Sequence, residues 1–372
     1  MQPEDQTPKT TAPSDDAAPL ASDDAPPAPS ANVDAPVPPA DAAPLASADA
    51  AAPADNEFRS GFIAILGKPN AGKSTLLNAI IGEKVAITSD KPQTTRDRIT
   101  GIFTTTRFQM VFLDTPGVMV PQDRFNETLV YRAADAMQGV DVIYHLVDAG
   151  DREPPNERIA ELLKRVPRSV KRFLVINKID KRFPARADGK PFVPPGVSTA
   201  DYDEIFMVSA LKKQGLDYLI EATYRCLSTG PLYYDAEQVS DKDMRFLVAE
   251  IVREKVFRRT GAEIPYSVFT EVEEYKERKD KDYIRVVIYT ERDSQKGILI
   301  GQGGRVLKDI GQDARRAVEN LTGRPCYLEL WVKVRKDWRK KEFDLNNFGF
   351  KLPKGKKPAR PAASKPPRPK KK

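Results

Sequence analysis

Five short apolar runs alternate with stretches of helical periodicity, and the first run ends in a phosphate-loop signature. The runs are FIAILG (62–67), RFQMVFLD (107–114), DVIYHLVD (141–148), RFLVIN (172–177) and EIFMVS (204–209). Between and after them lie STLLNAIIG, NETLVYRAADAM, NERIAELLKRV and GLDYLIEATYRCL, which repeat their apolar residues at helical spacing. Strand and helix in alternation predict a mostly parallel sheet covered on both faces. Gly67, Gly72, Lys73 and Ser74 fit the pattern G-x-x-x-x-G-K-[ST] straight after the first run. The candidate loop therefore runs through Gly67, Lys68, Pro69, Asn70, Ala71, Gly72, Lys73, Ser74 and Thr75. In such a loop backbone N–H groups wrap a phosphate, the lysine reaches the terminal phosphates, and the hydroxyl of Ser74 holds Mg²⁺.

Three further motifs follow in order, each at the end of an expected strand. Asp114, Thr115, Pro116 and Gly117 form DTPG, where a carboxylate can hold Mg²⁺ through water and the Gly117 N–H can meet a γ-phosphate. NKID begins at Asn177 and Lys178 and ends at Asp180, whose carboxylate can accept from N1–H and the exocyclic amine of guanine. Adenine lacks that donor pair, so it would leave the carboxylate unsatisfied. The alkyl stem of Lys178 would lie along the base. Ser209, Ala210 and Leu211 can offer a backbone N–H to the guanine oxygen. Ligands of open α/β sheets collect at these carboxyl ends of strands, which points to GTP and GDP with Mg²⁺. The polar stretch SDKPQTTRDRITG suits a switch loop, with Gln93, Thr94, Thr95, Arg96 and Asp97 as its candidates. Thr95 is the expected third Mg²⁺ ligand beside Ser74 and Asp114, with Thr94 the alternative. Val118 stands where many GTPases carry a glutamine that positions water. Its side chain cannot do so, which turns attention to Asn70 as a residue that helps hold a monovalent cation, potassium, near the β/γ bridge.

Charge divides the chain. Residues 1–57 hold eleven acidic residues and one lysine, while the rest holds 59 basic and 42 acidic residues, a net +17 that suits a polyanionic partner. The first 57 residues are mostly Ala, Pro, Asp and Ser and are expected to be disordered. The last 22 carry ten basic residues and no acidic one, and are expected to be disordered but attracted to phosphate. Cys226 and Cys326 read as reduced residues of a cytosolic protein. His145, the single histidine, lies inside an apolar run and reads as a packed strand residue. No apolar stretch approaches the roughly 20 residues of a spanning helix, and the N-terminus lacks the pattern of a signal peptide.

A second unit follows the break at Gly230 and Pro231. A helix at about 241–258, strands near 265–274 and 282–290, two helices around Gly301-Gln302-Gly303-Gly304 and a last strand CYLELWVKV match the order of a type II KH domain. A GXXG loop lets a nucleic-acid backbone come close. Ile298, Leu299, Ile300, Val306, Leu307 and Ile310 are expected to floor a groove for bases, with Lys296, Arg305, Lys308, Arg315 and Arg316 supplying charge.

Taken together, GKPNAGKSTLLNAIIGEKVAITSDKPQTTRDRITGI, DTPG, NKID, SAL, EIVREKVFRRTGAEIPYS and ILIGQGGRVLKDIGQDAR resemble the Era family of bacterial GTPases over about 59–335. The fold class expected is α/β, a P-loop GTPase domain followed by an α+β type II KH domain. The expected organisation is a disordered extension at 1–57, the GTPase domain at 58–229, a linker at 230–240, the KH domain at 241–335 and a basic tail at 336–372. The resemblance implies GTP hydrolysis, binding of the 3′ end of small-subunit ribosomal RNA and a role in assembly of the small ribosomal subunit. It also implies a cytoplasmic protein that partly associates with the inner membrane surface; a monomer is expected. The acidic extension, the basic tail and RFPARADGKPFVPPGVSTADYD after NKID depart from the family pattern. The competing expectations are a P-loop ATPase or kinase with a basic appendage, which NKID argues against, and a membrane-transport GTPase.

Overall fold

A computed structural model describes residues 57–154, 157–181, 193–261 and 263–350. The disorder expected for the first 57 residues and for 351–372 therefore concerns residues that, Glu57 apart, lie outside the described ones. Residues 182–192 of the insertion after NKID do so as well.

The first half is a single sheet in the order β2-β3-β1-β4-β5-β6. Its strands are β1 (Arg59–Gly67), β2 (Ile99–Thr104), β3 (Phe108–Asp114), β4 (Val142–Asp148), β5 (Lys171–Asn177) and β6 (Glu204–Met207). All pair in parallel except β2, which runs antiparallel to β3 at the edge. A two-residue β7 (Ser228–Thr229) returns antiparallel to the start of β1. The helices are α1 (Lys73–Ile81), α2 (Arg124–Asp135), α3 (Glu157–Arg165) and α4 (Leu216–Cys226). Alternate side chains of each strand enter opposite layers. Ile63, Ile65, Phe112, Tyr144 and Phe173 join Leu76 and Leu77 of α1 on one side. Ala64, Leu66, Val111, Leu113 and Ile143 meet Ile159 and Leu162 of α3 on the other. Both faces are covered, which is why these strands read as continuous apolar runs.

His145 is packed in β4 as its sequence context suggests, with Nδ1 2.5 Å from the Tyr202 hydroxyl. Burial pushes its imidazole down to about 4. Val193, Val197 and Tyr202, from the part of the insertion that is described, pack against Leu174 and Ile176.

The second half has α5 (Met244–Arg259), α6 (Ile264–Ser267), β8 (Phe269–Lys276), β9 (Asp282–Thr290), α7 (Asp293–Ile300), α8 (Arg305–Thr322), β10 (Cys326–Val334) and α9 (Glu342–Asn347). The sheet order is β10-β9-β8, with β9 antiparallel to β8 and parallel to β10. Val252, Val256, Ile284, Val286, Ile310 and Ala314 form its core under α5 and α8.

Two expected boundaries shift. Residues 230–240 are not a free linker. Gln109 accepts through Oε1 from the backbone N–H of Tyr233 and Tyr234, and Ile102 N–H donates to Val239 O at 2.9 Å, so the segment lies along the edge of the first sheet. Residues 336–350 are not tail either. Trp338, Leu345, Phe348 and Phe350 pack with Phe125 and Leu129 of α2 in one buried cluster. The charge density of KVRKDWRKKEFD hid these anchors, because burial here depends on a few aromatic rings rather than on mean hydropathy.

Candidate functional site

Gly67 ends β1 and Lys73 begins α1, so the five residues between them turn the chain through the site. Two left-handed positions make that turn, Asn70 at φ 62° and Gly72 at φ 98°. A side chain at Gly72 would put its Cβ 2.3 Å from Asn177 Nδ2, and one at Gly67 would lie 2.4 Å from Leu146 O. Close approach therefore requires both glycines, and at Gly72 the backbone angle does so as well. Lys73 Nζ folds back over the loop and donates to Lys68 O at 3.0 Å and Gly67 O at 3.3 Å. Burial lowers its pKa to about 8, although Asp114 pulls the other way.

Ser74, Thr95 and Asp114 converge. Ser74 Oγ donates to Asp114 Oδ2 at 2.6 Å and lies 2.8 Å from Thr95 Oγ1, which is itself 3.4 Å from Oδ2. Thr94 is turned elsewhere, donating to Lys91 O at 2.7 Å. Asp114 is fully buried, and burial raises its carboxyl to about 6. Its Oδ1 has no hydrogen-bond partner. A buried carboxylate oxygen without a donor, beside two hydroxyls, fits a hard divalent cation. Thr115 Oγ1 donates to Ile65 O at 2.7 Å, and Pro116 and Gly117 follow with Gly117 packed against Pro69. Val118 is fully buried and its N–H donates to Gly67 O at 3.1 Å, so this residue belongs to the core.

On the base side, Asn177 clamps two loops. Its Nδ2 donates to Ala71 O at 2.9 Å and its Oδ1 accepts from Ala210 N–H at 3.0 Å. Lys178, at φ 68°, donates to Asn70 O at 2.6 Å and pairs with Asp148 at 2.7 Å. Asp180 accepts from Ser209 Oγ at 2.5 Å with its carboxylate exposed to the site, and Leu211 is exposed beside it.

The sequence reading did not single out Asp148, which fixes Lys178, or Asp151, which pairs with Lys68 at 2.7 Å. Their signal was placement, since an acid at the carboxyl end of β4 obeys the same rule as Asp114. Asn126 was missed too. It is buried and its Oδ1 accepts from Gln93 Nε2 at 3.2 Å. Arg96 points away from the nucleotide loop. Its guanidinium donates to Pro265 O at 2.8 Å, to Tyr266 O at 3.3 Å and to Val268 O. Asp97 pairs with Arg132 at 2.9 Å.

In the second unit Gly301, Gly303 and Gly304 all have positive φ, and Gln302 projects from between them into solvent. A Cβ at Gly303 or Gly304 would meet nothing within 4 Å, whereas one at Gly301 would lie 2.5 Å from Val306 Cγ2. Thus Gly301 serves packing, and the next two leave room for a close-approaching strand. Arg305, Lys308 and Arg315 are on α8 and all three are exposed, and Lys296 and Ile300 are on α7. Leu299 and Ile310 are fully buried in the core and so cannot floor a groove. The remaining candidates, Ile298, Ile300, Val306 and Leu307, retain exposed surface.

A family model described as "50S ribosome-binding GTPase" matches residues 62–178, and a KH domain model matches 263–339. The chain is 46% identical over 296 residues to GTPase Era of Heliobacterium modesticaldum, covering 79% of this chain and 98% of the relative. It is 42% identical over 298 residues to GTPase Era of Carboxydothermus hydrogenoformans, at the same coverage. The structure of a point variant of Aquifex aeolicus Era bound to GDP·AlF4⁻ is similar at 36% identity and TM-score 0.72, covering 79% of this chain and all of that one. The structure of Era in complex with MgGDPNP and nucleotides 1506–1542 of 16S ribosomal RNA is similar at 37% identity and TM-score 0.74, again over 79% and 100%. With both domains in order and almost the full length of these relatives spanned, the chain belongs to the Era family of GTPases.

Proposed function

We propose that this protein is a GTP-hydrolysing switch that binds the 3′ end region of small-subunit ribosomal RNA and acts in assembly of the small subunit. The observation that carries this reading is the presence, in one chain, of the Lys73–Ser74–Thr95–Asp114 constellation and an open GXXG loop. Lys73 holds the terminal phosphates and Gly117 offers its N–H to the γ-phosphate. Asp180, Lys178 and the Ala210 N–H bind guanine. Ser74, Thr95 and Asp114 would hold Mg²⁺, which neutralises charge building on the phosphate oxygens. Thr95 stands at that centre already, with Oγ1 2.8 Å from Ser74 Oγ, and a γ-phosphate and its Mg²⁺ would hold the loop there.

Val118 gives water no partner, so hydrolysis depends on charge stabilisation around the β/γ bridge. Asn70 supports a monovalent cation there. Its Nδ2 donates to Asp90 O, which leaves Oδ1 as an oxygen donor at the loop's bend. Hydrolysis is expected to be faster in potassium than in sodium. Equal rates in the two salts, with Asn70→Ala also silent, would exclude the cation.

The same reading has a cytoplasmic monomer that meets the inner membrane surface in part. Its support is charge, in the ten basic residues beyond 350. No helix among the described residues is long and apolar enough to cross a membrane. The test of the whole reading is affinity for RNA corresponding to 16S nucleotides 1506–1542, measured with a non-hydrolysable GTP analogue, with GDP and with the ATP analogue. Tighter binding with the GTP analogue alone is expected. Indifference to the nucleotide, or equal service by ATP, would overturn it.

A further inference from the structure

The helices α5, α7 and α8 cover one face of the sheet β10-β9-β8, and the opposite face carries aromatic rings. Tyr327 and Trp331 of β10 are 53% and 46% exposed, and they lie on the same face as Tyr283 rather than singly. In the parallel register Tyr327 sits opposite Tyr283 of β9, and the two rings are near-parallel at 12° with centroids 5.9 Å apart. Each ring has cations beside it. Arg278 lies 5.2 Å from the Tyr283 centroid and Lys281 lies 5.9 Å from that of Tyr327. Arg285 and Lys333 flank Trp331 at 5.3 and 5.7 Å. Glu329 offsets Arg285 at 2.8 Å and Glu273 offsets Lys333 at 2.9 Å, whereas Arg278 and Lys281 sit at the β8–β9 turn over the ring pair.

We propose that this outer face is a second binding surface for single-stranded RNA, continuous with the GXXG groove. Rings that bases can stack on, interleaved with cations that meet phosphates, are what a sequence-tolerant single-strand site requires. Tyr327 and Trp331 are four residues apart, about 13 Å along a strand. Sheet platforms of that extent stack two or three bases. β10 makes the path continuous. It is an edge strand, and its other face turns Leu328 and Leu330 toward the helices, with Leu330 beside Gly311 of α8. A strand leaving the groove beside α8 has one edge strand to cross. This inference rests on the reading of the GXXG loop as an RNA site.

The chain has two tryptophans, and Trp338 is fully buried, so Trp331 is the one that added RNA can contact, and Trp331→Phe separates its signal from that of Trp338. The probe is the 16S 1506–1542 RNA, added to the full chain with a GTP analogue. Quenching is expected in the wild type, and Trp331→Phe should lose the signal while keeping affinity. Tyr327→Ala combined with Trp331→Ala should weaken binding by roughly 10–100-fold. It should leave GTP hydrolysis without RNA and the thermal midpoint near wild type. RNA binding with no quenching and no loss in the double alanine variant would overturn the outer-face site while leaving the groove intact. Wild-type binding by Gln302→Asp with Gly303→Asp would instead overturn the groove reading. A fluorescence change that follows protein concentration without RNA, with a matching rise in sedimentation coefficient, would assign the face to a second copy of the chain and likewise overturn the proposal.

Discussion

Asp180 and Ser209 illustrate how a pre-formed contact sets specificity. The carboxylate is already held by the Ser209 hydroxyl at 2.5 Å, so guanine meets an acceptor with a fixed direction. Asp180→Asn puts an amide donor before the two donors of guanine. GTP affinity is expected to fall by about 10²-fold or more while xanthosine triphosphate gains, as read by nucleotide competition. Lys73 makes a pH prediction. Its ammonium is destabilised by burial, so its folded pKa of about 8 lies below the ordinary value of 10.5. The cost to the nucleotide-free fold is complete below pH 8 and disappears above the ordinary value. Bound phosphates restore the charged form. Nucleotide binding near pH 9 is therefore expected to take up a proton, measurable by calorimetry in buffers of different ionisation enthalpy, and affinity should weaken above pH 8. No proton uptake there would place the pKa elsewhere. The motif residues were legible because each sits at a strand end with a chemistry its neighbours cannot supply. Asp148 and Asn126 were not, since a single Asp or Asn has no local signature and its role depends on which loop the fold brings alongside.

At the scale of elements, the loop carrying Thr95 is anchored at both sides of that threonine to the second domain. Lys91 Nζ donates to Phe257 O and Thr260 O, the end of α5, where a cation meets free carbonyls and the negative end of the helix dipole. Arg96 serves the carbonyls of α6 and Val268 and lies within 5.2 Å of the Phe125 ring centroid. Both anchors are made while Thr95 stands beside Ser74 and Asp114, so a loop that leaves that centre would strain or release its ties to α5 and α6. Arg96→Ala removes the second anchor and leaves buried carbonyls unpaired, at about 1–3 kcal/mol each. The ratio of RNA affinities with GTP analogue and with GDP is expected to shrink toward one, while GTP affinity itself stays near wild type. An unchanged ratio would show that Arg96 is only a structural tie. The sequence placed this loop and most helices and strands correctly, because their periodicity is local. It did not reveal that PQTTR reaches EIPYS, a pairing of residues roughly 170 positions apart that no periodic pattern encodes.

At the scale of the molecule, the two domains are locked rather than strung. Lys84 pairs with the fully buried Glu254, Arg339 with Asp123, and Arg124 with Glu342 at 3.0 Å. Trp338 stands edge-on to Phe125 at 5.4 Å and donates through Nε1 to Ser267 O at 2.8 Å. Trp338→Ala is expected to cost about 3–5 kcal/mol. The wild type is expected to unfold in a single calorimetric transition, and the variant in two, one for each domain. A single transition in the variant would show that other contacts suffice to couple the halves. The same cluster fixes a timetable for biosynthesis. Phe125 is made early, yet its cover lies roughly 200 residues further on, a delay of about 10–40 s at ordinary translation speeds. Throughout that interval the nascent GTPase domain presents bare aromatic surface on α2. It becomes a finished, closed module only after the stretch from Trp338 to Phe350 has left the exit tunnel.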